Sequence, residues 1–108
     1  MVEIIHADAK DAIKVIPKKA NRIIMNLPFS AYRFFPLALS IAAKTCILHY
    51  YDIIKEEDIG ARIDGLKKIA VEHSYCLSDI SIRKIKTYAP REFYIGIDIT
   101  ATKHADVA

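Results

Sequence analysis

The segment best suited to chemistry is Asn26-Leu27-Pro28-Phe29-Ser30, which follows an apolar run of strand length. The side chain of Asn26 offers a carbonyl acceptor and amide donors, so it could grip the edge of a base. Pro28 fixes the backbone direction without leaving an N–H group to be satisfied. Ligands of open parallel sheets bind beyond the carboxyl ends of the strands, where this segment would lie. Asn-x-Pro is also an ordinary turn, so the residues alone leave a purely structural role open.

Basic side chains form a second candidate group near the end of the chain, at Arg83, Lys84, Lys86 and Arg91. Lysines on a solvated edge strand commonly prevent edge-to-edge association, and that is the default interpretation. Contact with nucleic-acid phosphates is the alternative. The four histidines are scattered without cysteine or carboxylate at ligand spacing, so no metal site is expected. No Ser-His-Asp pattern or carboxylate pair supports a hydrolase.

Length and composition bound these possibilities. The chain has 108 residues, 53% of them hydrophobic, which suits one compact unit with a real core. A net charge of +3 is mildly favourable for a polyanionic partner but would be ordinary in any soluble domain. No apolar run reaches the roughly 18 residues that a membrane helix needs, and the amino terminus carries no signal peptide. We expect a cytoplasmic protein with no membrane partner and two reduced cysteines.

The elements that must position Asn26 alternate between strand and helix. Residues 2–6 and 22–26 are strand-like, with a weak helix predicted over 11–16 between them. Residues 31–44 predict a helix that is interrupted by, or begins at, Pro36. A third buried strand covers 46–51, and a clear helix covers 56–73. In that helix, Ile59, Ile63, Leu66 and Ala70 share one face.

The last part of the chain predicts a hairpin. Residues 76–87 and 92–100 are strand candidates joined by a link too short for a crossover. The predicted fold is therefore α/β, a partial Rossmann-like sheet with three parallel strands, crossover helices and a carboxyl-terminal antiparallel hairpin. We expect one half-domain over residues 1–100 and a flexible tail over 101–108. None of the three glycines forms a Gly-rich cofactor turn, so a cofactor domain would need that turn from elsewhere.

Four segments, in order, resemble the archaeal and eukaryotic tRNA (guanine-37-N1)-methyltransferases, which have a class I methyltransferase fold. Arg22–Pro28 with Ser30-Ala31 looks like motif IV of that family. His49-Tyr50-Tyr51 is similar to the His-Tyr-Tyr segment of archaeal members. Lys86–Glu92 resembles their near-terminal Ser/Thr-Tyr-Ala-Pro-Arg-Glu sequence, and His6–Lys10 looks like their Gly-Asp-Ala-Arg stretch.

The resemblance implies a function and a set of site residues. S-adenosylmethionine would be the cofactor, with Asp8 and Ala9 bordering its adenine and Asn26 near the methyl group. Asn26 and Pro28 would hold and shape the pocket for the target guanine. The tRNA would be the partner, with Lys86, Tyr88 and Arg91 as RNA contacts. The family's general base, helping arginine and Gly-rich loop lie upstream of the matched segments, so none can be assigned here.

We therefore expect part of a tRNA methyltransferase that is inactive alone and forms a homodimer or pairs with an upstream half. Two other functions stay open. One is transfer of an aminocarboxypropyl group from the same cofactor during wybutosine synthesis, although those relatives usually lack Asn-Leu-Pro. The other is a non-catalytic module that keeps the fold and binds RNA or a protein partner.

Overall fold

The structure, a computed structural model, describes residues 2–5, 20–27 and 29–104, which form a five-stranded mixed sheet. The strands are β1 (Val2–Ile5), β2 (Ala20–Asn26), β3 (Ala42–Lys55), β4 (Tyr75–Ala89) and β5 (Glu92–Lys103). The helices are α1 (Ala31–Ile41) and α2 (Ile59–Glu72), the latter preceded by a 3-10 turn at Glu56–Asp58.

The strand order is β1-β2-β3-β5-β4. β1, β2 and β3 run parallel, whereas β5 is antiparallel to both β3 and β4. The predicted α/β fold, with three parallel strands and a terminal hairpin, is confirmed. α1 is the crossover between β2 and β3; the helix predicted over 11–16 lies outside the described residues.

Both helices pack on one face of the sheet, and the alternation of side chains along the strands follows from this. On β3, the buried residues Cys46, Leu48 and Tyr50 face the helices, while the residues between them are only half-buried. Leu66 and Ala70 of α2 are buried, and Ile59 and Ile63 pack against the same core, as the helical stripe predicts. None of the described helices has the length and apolarity to cross a membrane.

Several elements differ in extent from the sequence pattern, among them β3, β5 and α1. β3 has 14 residues rather than six, because it pairs with β5 from Thr45 through Lys55 and with β2 already at Ala42. β5 itself continues to Lys103, and its Ala101 is fully buried between Cys46 and Leu77, although 101–103 were predicted to belong to the tail. α1 begins at Ala31 and contains Pro36, but it ends at Ile41 rather than at residue 44, because the next residues belong to β3. Strand pairing and core packing thus override weak local signals.

Candidate functional site

Asn26 lies at the carboxyl end of β2, as the sequence predicts, and its side chain is exposed. Its Oδ1 accepts a hydrogen bond of 2.7 Å from the hydroxyl of Tyr94, which stands near the start of β5. The parallel strands β2 and β3 end at this edge of the sheet, whereas β5 begins there because it runs in the opposite direction. The edge therefore gathers residues that are distant in sequence.

A cleft of about 370 Å³ opens at this edge, lined by Asn26, Ile53, Lys86, Tyr88 and Tyr94. Strand register explains the grouping, since Tyr94 is paired with Ile53 on one side and with Lys86 on the other. Cross-strand partners project from the same face of a sheet. Asn26, which the sequence analysis assigned to the base pocket, thus meets Lys86 and Tyr88, which it assigned to RNA contact, in one cavity.

An exposed aromatic pair stands beside the cleft. The rings of Phe29 and Tyr88 meet edge to face with centroids 5.5 Å apart. Phe29 is 64% exposed and Tyr88 54%, so most of each ring remains available to a ligand. Aromatic faces stack on nucleobases of any sequence, which makes this pair a suitable wall for single-stranded nucleic acid.

A buried polar network lies next to the loop that follows Asn26. Asp52, only 1% exposed, accepts hydrogen bonds from the backbone N–H of Phe29 at 2.7 Å and of Ile53 at 2.8 Å. Its second carboxylate oxygen accepts from the Tyr50 hydroxyl at 3.0 Å and from the Arg62 guanidinium at 2.5 Å. Burial, together with the neighbouring Asp52 charge, raises the pKa of Tyr50. Tyr50 therefore stays a neutral donor at physiological pH.

A second polar cluster occupies the sheet face opposite the helices. Asp98 lies 2.8 Å from His49 Nδ1 and 3.3 Å from Arg83 Nη2. Arg83 also bonds to Tyr51, and this bond and the Asp98 charge raise the pKa of its guanidinium. Tyr51 in turn lies against Tyr94, with ring centroids 6.2 Å apart. Aromatic contact therefore links this cluster to the cleft.

Not all the predicted site residues come together. Arg91 occupies the β4–β5 turn with a φ of 61°, is exposed, and does not line the cleft. Its carbonyl oxygen accepts from the Glu56 N–H at 2.8 Å, which ties the hairpin turn to the segment before α2. Asp8, Ala9 and Pro28 lie outside the described residues.

The sequence analysis missed Tyr94, Ile53 and Asp52. A signal existed for Tyr94, which alternates with the apolar residues of β5 and so must project from the opposite face. Asp52 directly follows the aromatic end of a buried strand, but only the tertiary contacts reveal that it faces the core and bonds to the loop after Asn26.

Comparison with known proteins matches residues 1–78 to the TRM5/TYW2 methyltransferase domain. Trm5b of Methanocaldococcus jannaschii, a tRNA (guanine(37)-N(1))-methyltransferase, is 34% identical over 92 residues, covering 84% of this chain and 25% of the relative. A tRNA(Phe) (4-demethylwyosine(37)-C(7)) aminocarboxypropyltransferase of Pyrococcus horikoshii is 32% identical over 85 residues, covering 78% of this chain and 31% of the relative.

Among solved structures, M. jannaschii TYW2 in complex with AdoMet superposes with a TM-score of 0.76 at 26% identity. The match covers 85% of this chain and 43% of that one. The chain thus spans between a quarter and a third of the length of these two curated relatives.

Proposed function

Because the chain belongs to the TRM5/TYW2 methyltransferase domain family, we propose that its cleft holds the target base of an S-adenosylmethionine-dependent tRNA methyltransferase acting on N1 of guanine 37. The convergence of Asn26, Lys86 and Tyr88 in one cavity at the carboxyl edge of the sheet carries this proposal. These residues join an amide, a cation and an aromatic ring, which together suit a nucleotide.

The orientation of Asn26 suits a guanine. The Tyr94 hydroxyl donates a hydrogen bond to Asn26 Oδ1, so the Asn26 amide presents its N–H donors to a ligand. Guanine offers O6 and N7 as acceptors, and O6 lies next to the reacting N1. Tyr94 thus sets the direction of the amide, and Asn26 positions the base. Positioning supplies much of the rate of an in-line methyl transfer.

The remaining predicted contacts suit the RNA around that base. Lys86 lines the cleft and supplies a positive charge for a phosphate, while Tyr88 and Phe29 provide stacking surfaces. Arg91, outside the cleft at the hairpin turn, would bind a phosphate further along the strand. Sequence-independent phosphate contacts make RNA binding salt-dependent.

The cofactor side of the site rests on the family resemblance. S-adenosylmethionine supplies the methyl group when bound; Asp8 and Ala9 would border its adenine, and Pro28 would shape the base pocket. Of the residues assigned to the cofactor, only Asn26 is described, and its exposed amide at the carboxyl edge fits that place. None of the described residues lining the cleft carries a carboxylate, so we assign removal of the N1 proton to a group outside this set.

Two titrations test the proposal, one with S-adenosylmethionine and one with an anticodon stem–loop RNA bearing guanosine at position 37. Asn26→Ala should weaken RNA binding about tenfold, since losing one well-placed hydrogen bond costs about 1–2 kcal/mol. The matched control is Asn21→Ala at the other end of β2, which should retain affinity. Equal affinity of both variants would remove Asn26 from the base pocket.

Two alternatives give different results in the same experiments. Aminocarboxypropyl transfer uses the same cofactor, and mass analysis of the RNA product separates it from methylation; Asn26-Leu27-Pro28 favours methylation. A non-catalytic module would bind RNA without binding S-adenosylmethionine. Saturable binding of S-adenosylmethionine by the chain alone would mean that the chain completes the cofactor pocket, for instance as a homodimer, and methylation of the RNA would then be tested directly.

We further propose that the chain associates through its sheet, as a homodimer or with an upstream half. In the described part of the chain, no helix covers the face carrying Ile24, Ile47 and Tyr51, which are only half-buried. Apolar sheet faces and bare strand edges favour association. Light scattering should detect a complex at high protein concentration, and a persistent monomer would contradict this.

A further inference from the structure

We infer that Asp52 is a positioning residue that fixes the loop after Asn26 in its binding conformation. The inference deepens the proposed function and rests on it. Asp52 belongs to β3, is nearly inaccessible to solvent, and does not line the cleft. Its effect on a bound base is therefore indirect and passes through the backbone.

The direct link is the hydrogen bond of 2.7 Å from the Phe29 N–H to Asp52 Oδ1. The same oxygen accepts from the N–H of Ile53, which lines the cleft. One carboxylate oxygen thus joins the two sides of the site, the loop after β2 and the end of β3. A carboxylate accepts stronger hydrogen bonds than a neutral carbonyl, so this link is stiff.

Phe29 needs such a restraint, because its φ of 67° lies in the left-handed region. Residues other than glycine persist there only when surrounding contacts fix them. The Asp52 bond acts from one side, and on the other the loop is closed by bonds of 2.8 Å from the Ser30 and Ala31 N–H groups to the Leu27 carbonyl. This conformation places the Phe29 ring against Tyr88 at the cleft.

The carboxylate is itself held by Arg62 of α2. The guanidinium donates to Asp52 and to the Tyr50 hydroxyl, and it lies 4.9 Å from the Tyr32 ring centroid. Tyr32 stands so close to α2 that a Cβ at Gly65 would lie 2.5 Å from its hydroxyl. A glycine at 65 therefore lets Tyr32 of α1 approach α2 closely and lie against Arg62, which places the Arg62–Asp52 pair between α1, α2 and β3.

Stability alone does not explain a charge pair here. Apolar side chains of similar volume often replace a buried ion pair at no cost to stability, so such pairs are weak evidence of stabilisation. An apolar side chain, however, has no atom that could accept hydrogen bonds from both the Phe29 and the Ile53 N–H groups. The geometry of the loop is the property that requires an acceptor oxygen at this position, and a carboxylate is the stronger acceptor.

The test compares Asp52→Asn with Asp98→Asn in the full chain. Both changes remove one carboxylate from an Arg–Asp pair, but Asp98 lies on the opposite sheet face. NMR measures hydrogen exchange of the Phe29 amide, and fluorescence anisotropy measures affinity for the stem–loop RNA. For Asp52→Asn we expect exchange to rise and affinity to fall, each about tenfold, while Asp98→Asn leaves the exchange of the Phe29 amide unchanged.

A folded Asp52→Asn protein with wild-type exchange at Phe29 and wild-type RNA affinity would overturn the inference. If that variant does not fold, Arg62→Gln keeps the carboxylate but loosens it, and the same two readouts should move in the same direction. Failure of the wild-type chain to bind RNA would refute the proposed function, whereas the exchange measurement would still decide whether Asp52 holds the loop.

Discussion

The two faces of β3 differ in how deeply their side chains are buried. Toward the helices it places Leu48, Tyr50 and Asp52 in the core, all at most 1% exposed. Toward the other face it places His49, Tyr51 and Ile53, which are half-buried. Each face carries one Arg–Asp pair, Arg62 with Asp52 and Arg83 with Asp98.

This difference in burial indicates that the two faces of β3 have different roles, one structural and one in ligand binding. On the helix-covered face the polar atoms are enclosed and hydrogen-bonded, and no buried side-chain polar atom among the described residues lacks a partner. On the open face the Arg83 side chain is 53% exposed, and its cluster leads through Tyr51 to the cleft. The covered face fixes the loop conformation, and the open face presents the groups that bind.

The largest contrast should come from truncating neighbouring apolar residues of β3. Leu48→Ala should lower the free energy of unfolding by about 3–4 kcal/mol, because it leaves a cavity in a closed core. Ile47→Ala should cost about 1 kcal/mol, since its side chain is partly solvated already. Urea denaturation measures both. Equal losses would mean that the open face is covered in solution, for instance by a second copy.

The two Arg–Asp pairs give a smaller contrast. Arg62→Ala should destabilise the fold by about 2–3 kcal/mol, at or below the usual range for a broken buried pair because the Arg62 side chain is 26% exposed. Arg83→Ala should leave the melting temperature within experimental error. Thermal denaturation followed by circular dichroism compares them. A comparable fall in both would contradict the assignment of the structural role to the covered face.

The smallest effect should appear at alkaline pH, where Cys46 reports on the covered face. Burial raises the pKa of its thiol from 9.0 to about 11, so the unfolded chain loses this proton first. The stabilising contribution is complete below pH 9 and is lost as the pH rises toward 11. The loss should not exceed about 1.4 kcal/mol per pH unit.

Denaturation at several pH values tests this, with Cys46→Ala against the exposed Cys76→Ala. The first variant should show a flatter decline between pH 9 and pH 11 than the wild type, and the second should match the wild type. Identical slopes for all three proteins would show that the thiol is not enclosed.

Parts of this fold could be predicted because the local pattern and the tertiary environment agree. The alternation of Ile95, Ile97 and Ile99 predicted a strand with one buried face, and all three are buried. The spacing of Leu66 and Ala70 likewise predicted the core face of α2. The short link at residues 88–91 predicted the β4–β5 hairpin, which the register confirms.

Other features have no local signal. Nothing in residues 42–45 or 52–55 predicts that β3 extends through them, because the extension depends on pairing with β2 at Ala42 and with β5 from Thr45 through Lys55. The left-handed backbone at Phe29 also has no signal in the sequence. An aromatic residue disfavours it, and it is held by tertiary and loop contacts that include the bond to Asp52.

The sequence by itself determined the strand and helix types, the antiparallel hairpin and the place of Asn26 at a strand end, since these depend on periodicity and short-range geometry. Only the tertiary structure decided that Tyr94, Lys86 and Tyr88 join Asn26 in one cleft, and that Arg91 stays outside it. It also decided that Asp52 turns inward to hold Phe29. These relations depend on which strands become neighbours and in which register, and long-range pairing fixes that for the whole chain at once.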